Sequence, residues 1–468
     1  MFRSISRPIL PLLCCAVLTC THGSAQQNKA HEAAMPSADA VSLDHALAAY
    51  DAGNGASAMP ELVRLAQKYP GNFPANEALG LLYIDAGSYQ QAIPFLRHAA
   101  EAAKTNAAAQ ANLGAAYLQT GDAHLALDPL RKAASLEPKN AEVLSNLGHA
   151  LFLDKQPAEA AAAFARSADA EPANMDTRYN WALALHQVGK NTQADKALRT
   201  IPDADRTAAI ESLWGDIAEA NGQFKDAATH MQAAVKLNPT EQNIYNLAVE
   251  WLRHWTWQPA QDVAQYGIER FPDSRRLMLA KGIAFYGSGH YVDAANTFGA
   301  LLKLDPENEG YGDLLGKSCS AAGGDDAAQC STLIAFADKH PDNAKIAVYA
   351  AASILHGPGQ QNDLDHVQQL LQRAIATDPH LPEAYYQLGV LEQQRLQWQQ
   401  SVASLKSAIQ LRPSYAEAHY RLARAYSHLH QTDLAAKEIA LHQQYAQQEK
   451  EESDARLKEV TTFLIASH

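Results

Sequence analysis

Strict alternation of Val, Ile or Thr with polar residues, the mark of β-strands, is nearly absent from this chain. Only five cysteines occur in 468 residues, and Cys14, Cys15 and Cys20 fall at the N-terminus. That leaves Cys319 and Cys330, a pair too small to build a structural zinc site, which takes four ligands. Basic residues are in deficit, 38 Lys and Arg against 51 Asp and Glu, for a formal charge of −13. An acidic surface repels phosphate backbones and excludes nucleic acid as a partner. No stretch approaches the ~20 consecutive apolar residues of a membrane-spanning helix. There is no Gly-rich phosphate loop, no nucleophile elbow and no zinc-protease helix motif. The sequence therefore offers no catalytic residues, no metal ligands and no cofactor site, and a non-enzyme is expected.

The N-terminus reads as a leader. Arg3 and Arg7 precede an apolar run from Ile9 to Leu18, and Gly23-Ser24-Ala25 supplies small residues for cleavage before Gln26. Thr19 stands where Gly, Ala or Ser would precede a lipidated cysteine, so Cys20 is read as discarded and not as an anchor. The mature chain is expected to be exported, periplasmic or secreted, with residues 26–40 as a flexible linker. Such a compartment is oxidising, and the lone pair Cys319 and Cys330 is expected to form a disulfide. The turn-forming glycines Gly323-Gly324 between them would bring two antiparallel helices level.

What the chain has in abundance is alanine, the best helix former, and a fixed period. Leu79-Gly80, Leu113-Gly114 and Leu147-Gly148 are separated by 34 residues. The register continues through Ala182, Gly215, Ala248, Gly282 and Gly316, resumes at Gly389 and Ala423, and reaches back to Ala46. Twelve residues after each lies a second small side chain, such as Ala92, Ala126 and Ala160. A turn separates the two, often with glycine (Gly87, Gly121, Gly189) and a following aromatic (Tyr89, Phe224, Trp398), and a proline closes most units. Small residues permit close helix crossing, the turn glycine ends the first helix in the left-handed conformation, and proline stops the second. Ser88 and Asp122 are placed to cap the second helices.

This pattern resembles the tetratricopeptide repeat family over roughly residues 40–445. The resemblance implies an all-α, right-handed α-solenoid of about twelve helix-turn-helix repeats. The organisation expected is a repeat array over 41–345, a degenerate repeat with an insertion over 346–378, repeats over 379–445 and a C-terminal capping helix over 446–468. The insertion is placed at Gly357-Pro358-Gly359-Gln360, the expected weak point of the array.

Two residues before the crossing position stand Asn112, Asn146, Asn180 and, after Leu213, Asn246. In a stack of repeats these carboxamides fall in a row, and in the resembled family such rows hold polypeptide backbone. Tyr179, Tyr245, His149 and His186 would flank the bound segment. The alternative is that each Asn bonds the neighbouring helix. Trp255 replaces a turn glycine and either contacts a partner or folds back on its own repeat. His419, His428, His430 and His442 are read as ordinary polar positions of the last unit. Together these features point to a scaffold or adaptor that binds other proteins or extended peptide segments in its groove, in assembly of an envelope or secretion complex. The alternatives are a non-catalytic arm of an enzyme complex, or recognition of glycan or peptidoglycan fragments.

Overall fold

The computed structural model describes residues 35–322, 329–356 and 363–447. The leader 1–25, the start of the linker, the insertion at Gly357–Gln360 and all but the first residues of the expected cap 446–468 lie outside them. Among the described residues every regular element is helical, and within each of the two units below neighbouring helices pack on one another as in an all-α solenoid. The chain divides into two compact units, residues 1–223 and 224–468.

The first unit holds α1 (Ser37–Asp51), α2 (Gly55–Lys68), α3 (Phe73–Asp85), α4 (Tyr89–Ala102), α5 (Ala107–Gln119), α6 (Ala123–Leu136), α7 (Ala141–Leu153), α8 (Pro157–Ala170), α9 (Met175–Gln187), α10 (Asn191–Arg199) and α11 (Ala208–Ala220). Helix α1 begins inside the span expected as linker. Pro36 sets the backbone just ahead of Ser37, and Leu43 and Ala46 bury one side of the helix.

The small residues are explained by what they face. A Cβ on Gly80 would lie 2.5 Å from Leu96, one on Gly114 2.4 Å from Leu130, and one on Gly148 2.6 Å from Phe164. Each glycine thus makes room for a bulky side chain of the partner helix. The alanines Ala92, Ala126 and Ala160 are also fully buried. First helices start on a repeated cap: the side chains of Asn72, Asn106, Asn140 and Asn174 each accept the backbone N–H three residues on. The second helices do not follow expectation. Ser88 and Asp122 make no side-chain cap: their ψ of 55° and 56° falls short of the extended backbone of the capping asparagines, their N–H groups close the turn on Tyr83 and Tyr117, and the Asp122 carboxylate accepts from Thr120. Gly87 and Gly121 take the left-handed φ that the turn needs, as does Lys155 where the glycine is missing.

The second unit holds α12 (Phe224–Leu237), α13 (Glu241–Arg253), α14 (Trp257–Arg270), α15 (Arg275–Gly287), α16 (Tyr291–Leu304), α17 (Glu309–Ala322), α18 (Thr332–Lys339), α19 (Ala344–His356), α20 (Leu364–Thr377), α21 (Pro382–Gln394), α22 (Trp398–Leu411), α23 (Ala416–His428) and a helix over 432–447. The aromatic after the turn packs against the first helix of the next repeat: Phe224 on His254 at 4.1 Å, and Trp398 stacked on His428 at 3.8 Å. Within 346–378, α19 and α20 are full-length helices of 13 and 14 residues. The shortened helix is α18, with 8 residues, and its unit packs differently. There Gly312 makes room for Phe336 of α18, while Gly316 lies against Tyr349 of α19. Cys319 of α17 and Cys330, just ahead of α18, are joined by a disulfide with Cα atoms 5.8 Å apart.

The last helix is fastened to α23 by histidines. The buried His419 ring has Nδ1 2.6 Å from the Glu438 carboxylate and Nε2 2.9 Å from the Pro413 carbonyl, and His442 Nδ1 lies 2.9 Å from the Ala416 carbonyl. With His428 on Trp398 and His430 in a left-handed turn, the four histidines of this unit serve separate contacts.

Candidate peptide-binding face

The first helices α5, α7 and α9 place equivalent residues 34 positions apart, so one face of each carries the same slots. On α7, residues at helical spacing run Glu142, Ser145, Asn146, His149 and Phe152. On α9 the matching run is Asp176, Tyr179, Asn180, Leu183 and His186. On α5 it is Ala108, Ala111, Asn112, Ala115 and Leu118.

The asparagines of this unit differ in how they are satisfied. Asn180 Nδ2 lies 3.0 Å from His149 Nε2 and ties α9 to α7. Since the amide donates, the ring nitrogen accepts, which places the imidazole proton on Nδ1. That Nδ1 is buried and has no partner. The register puts Leu81 and Ala115 where His149 stands, and neither can accept a hydrogen bond through its side chain. Asn112 and Asn146 accordingly lack the bond that Asn180 makes. Each is 3% exposed, and each Nδ2 is shielded and unpartnered. A buried donor left unmade costs about 1–3 kcal/mol. Two consecutive first helices, α5 and α7, thus contribute hydrogen-bond donors without acceptors on one face, while the α9 amide is satisfied by His149.

His149 is held neutral: burial depresses its pKa to about 4, against a small opposing pull from Asp176. Its ring meets Phe164 edge-on at 5.1 Å. Burial and the nearby Glu171 charge push the Glu142 carboxyl up to about 7, and its Oε1 has no partner. Tyr179 is half-buried, and desolvation raises its hydroxyl. His186 turns away from the row, with Nδ1 2.7 Å from Asn191 Oδ1 at the start of α10.

In the second unit Asn246 is 6% exposed and its Oδ1 accepts from Gln242 Nε2 at 2.7 Å. Arg276 of α15 donates to Gln242 at 2.6 Å and to Glu241 at 2.8 Å, and its guanidinium lies 5.1 Å from the centre of the Tyr245 ring. The Asn246 and Tyr245 pair is therefore fastened between α13 and α15. Trp255 takes a left-handed φ of 57° and is 42% exposed, with its ring 6.0 Å from Trp257. It both leans on its own repeat and presents aromatic surface.

Sequence reasoning missed the acids Glu142 and Asp176. The signal was available, since Glu142 precedes Asn146 by one helical turn and Asp176 holds the same place before Asn180.

The sequence profile of the family described as tetratricopeptide repeat matches residues 43–108, 111–175 and 386–449. No curated protein matches the chain in sequence. Among solved structures, that of Naa15/Naa10 bound to HypK-THB is similar at 14% identity and TM-score 0.38, over 86% of this chain and 68% of that one. YrrB, described as a TPR protein with an unusual peptide-binding site, is similar at 17% identity and TM-score 0.36, over 39% and 94%. PilF of Pseudomonas aeruginosa is similar at 20% identity and TM-score 0.35, over 44% and 94%.

Proposed function

We propose that this chain, a member of the tetratricopeptide repeat family, is a non-catalytic scaffold that binds an extended segment of a partner polypeptide on the face formed by α5, α7 and α9. The observation that carries this reading is the set of donors without acceptors: Asn112 Nδ2, Asn146 Nδ2 and His149 Nδ1. A peptide backbone supplies carbonyl oxygens at regular intervals, the acceptors these groups lack. A half-turn about χ2 exchanges the Asn amide and carbonyl atoms, so each side chain can turn its donor outward without moving its helix. Sequence would be read loosely, by Tyr179 and its neighbours.

The test is the double variant Asn112→Ala/Asn146→Ala. Each hydrogen bond contributes ~0.5–1.5 kcal/mol net, so affinity for short unstructured peptides should fall about tenfold. The melting temperature should not fall, because the change removes two unpaired buried donors and Ala is the better helix former. A lowered melting temperature with unchanged affinity in the folded fraction would remove this face from the reading.

The leader supports an exported scaffold that serves assembly in the envelope or in secretion. Full-length protein made in a bacterial host with an intact export pathway should be recovered from the periplasm with Gln26 as its first residue, as read by intact mass. Recovery of chain still carrying residues 1–25, in the cytoplasm alone, would exclude export.

A further inference from the structure

We propose that the segment bound on α5, α7 and α9 is cationic, with a lysine or arginine seated against Glu142 and Asp176. This rests on the polypeptide-binding reading and adds the chemistry of the partner. Three carboxylates gather here: Glu142 and Asp176 at the same slot of consecutive first helices, and Glu171 close enough to act on Glu142. Among the described residues none of the three has an ion pair. The matching face of α5, α7 and α9 carries no lysine or arginine at all.

Three nearby arginines are occupied elsewhere. Arg131 bonds Glu159, Arg166 donates to the Pro138 carbonyl, and Arg178 donates to the Pro172 carbonyl. Acids in the first turn of a helix also complement its dipole, and Asp176, which is exposed, needs no other reason. Glu142 is different. It is half-buried, a carboxylate oxygen is shielded without a donor, and its proton is held more tightly than usual. A group in that state gains from an incoming cation, which would restore the charged form and supply the missing hydrogen bond.

The second observation is independent of charge. Asn146 follows Glu142 by one turn on the same face of α7, is 3% exposed, and has an amide without a partner. A carboxylate for the side chain and an amide for the backbone stand one turn apart. Tyr179, one turn beyond Asp176, offers a ring face for the same cation.

The experiment uses three labelled peptides of equal length and otherwise identical sequence, carrying Lys, Gln or Glu at alternate positions, titrated against the mature chain by fluorescence anisotropy. The Lys peptide should bind tightest. In Glu142→Gln/Asp176→Asn that preference should fall at least about tenfold, the scale of one lost charge-assisted contact. Asp128→Asn/Asp169→Asn removes the same charge from exposed positions on the second helices α6 and α8, and should leave affinity within about twofold, as expected for screened surface charge. If the double groove variant melts early, Asp176→Asn alone carries the test, because that side chain is exposed.

Equal or tighter binding of the Gln or Glu peptide overturns the cationic partner and leaves polypeptide binding standing. An undiminished Lys preference in the groove variants, or an equal loss in the surface control, does the same. Failure of all three peptides to bind overturns polypeptide binding on this face, and the cationic partner with it.

Discussion

Alanine in place of Phe164 should destabilise the first unit by about 3–5 kcal/mol, the usual cost of emptying an aromatic site in a packed core. Phe164 is 1% exposed and lies under Gly148, where a Cβ would approach its ring to within 2.6 Å. The reciprocal change, Gly148→Ala, should also destabilise, by roughly 1–3 kcal/mol. The ring is rigid, with three of its atoms within 3 Å of that Cβ, so it cannot yield by rotating a terminal group. Because one contact underlies both effects, the two changes should not add. Gly148→Ala/Phe164→Leu should be more stable than the sum of its single variants, since a smaller side chain admits the new methyl. Denaturant melts followed by hydrogen exchange would measure the parent and each variant, Phe164→Leu included. Exchange should quicken in α7, α8 and their neighbours while the second unit keeps its protection, because each repeat in a solenoid contacts only those beside it. Simple additivity of the two substitutions would show that the glycine is not there to make room for Phe164.

The period was legible because it is set by sterics that only a few residue types satisfy. Gly80, Gly114, Gly148 and Gly282 each face a large side chain of the partner helix at less than 3 Å from a would-be Cβ, so nothing but glycine fits without a shift. Turn glycines and closing prolines repeat for equally local reasons. The caps were misassigned for a reason that spacing cannot reveal. Ser88 and Asp122 have the chemistry of an N-cap, yet their backbone is committed to closing the preceding turn. The asparagines that do cap, from Asn72 to Asn174, repeat every 34 residues and were in view.

The site was legible only as a row of positions. Spacing puts Asn112, Asn146 and Asn180 in one slot but says nothing of their partners. Whether an amide is satisfied depends on what faces it from the next helix, and His149 can accept where Ala115 and Leu81 cannot. The neighbouring-helix reading holds for Asn180, which ties two helices, and not for the amides of Asn112 and Asn146. The region around the disulfide shows another limit. Helix α18 spans only Thr332–Lys339, yet the unit keeps nearly its normal length, so the spacing shows no break there. Helix shortening at constant length is invisible to a period.

That short helix is where breaking one bond should have the largest local effect. Eight residues are too few for a helix to persist without support, since isolated helices shorter than ~12–15 residues are marginal in water. Helix α18 is supported by burial of Leu333 and Phe336 and by the disulfide, which fixes Cys330 to α17. The Cys330 carbonyl also accepts from Ser353 of α19, so the same residue joins the entry of α18 to both neighbours. Cys319 and Cys330 are 11 residues apart, and closing so short a loop is worth about 3 kcal/mol in the chain-entropy model. Cys319→Ala/Cys330→Ala should therefore exchange α18 amides faster by about two orders of magnitude, the factor that 3 kcal/mol represents. Protection in α5 to α9 should be unchanged, since stability is local in a repeat array. Reduction of the parent protein should reproduce the effect, and reoxidation should reverse it. Unchanged exchange in α18 after both treatments would mean that Leu333 and Phe336 hold the helix unaided, and that the disulfide contributes nothing to this unit.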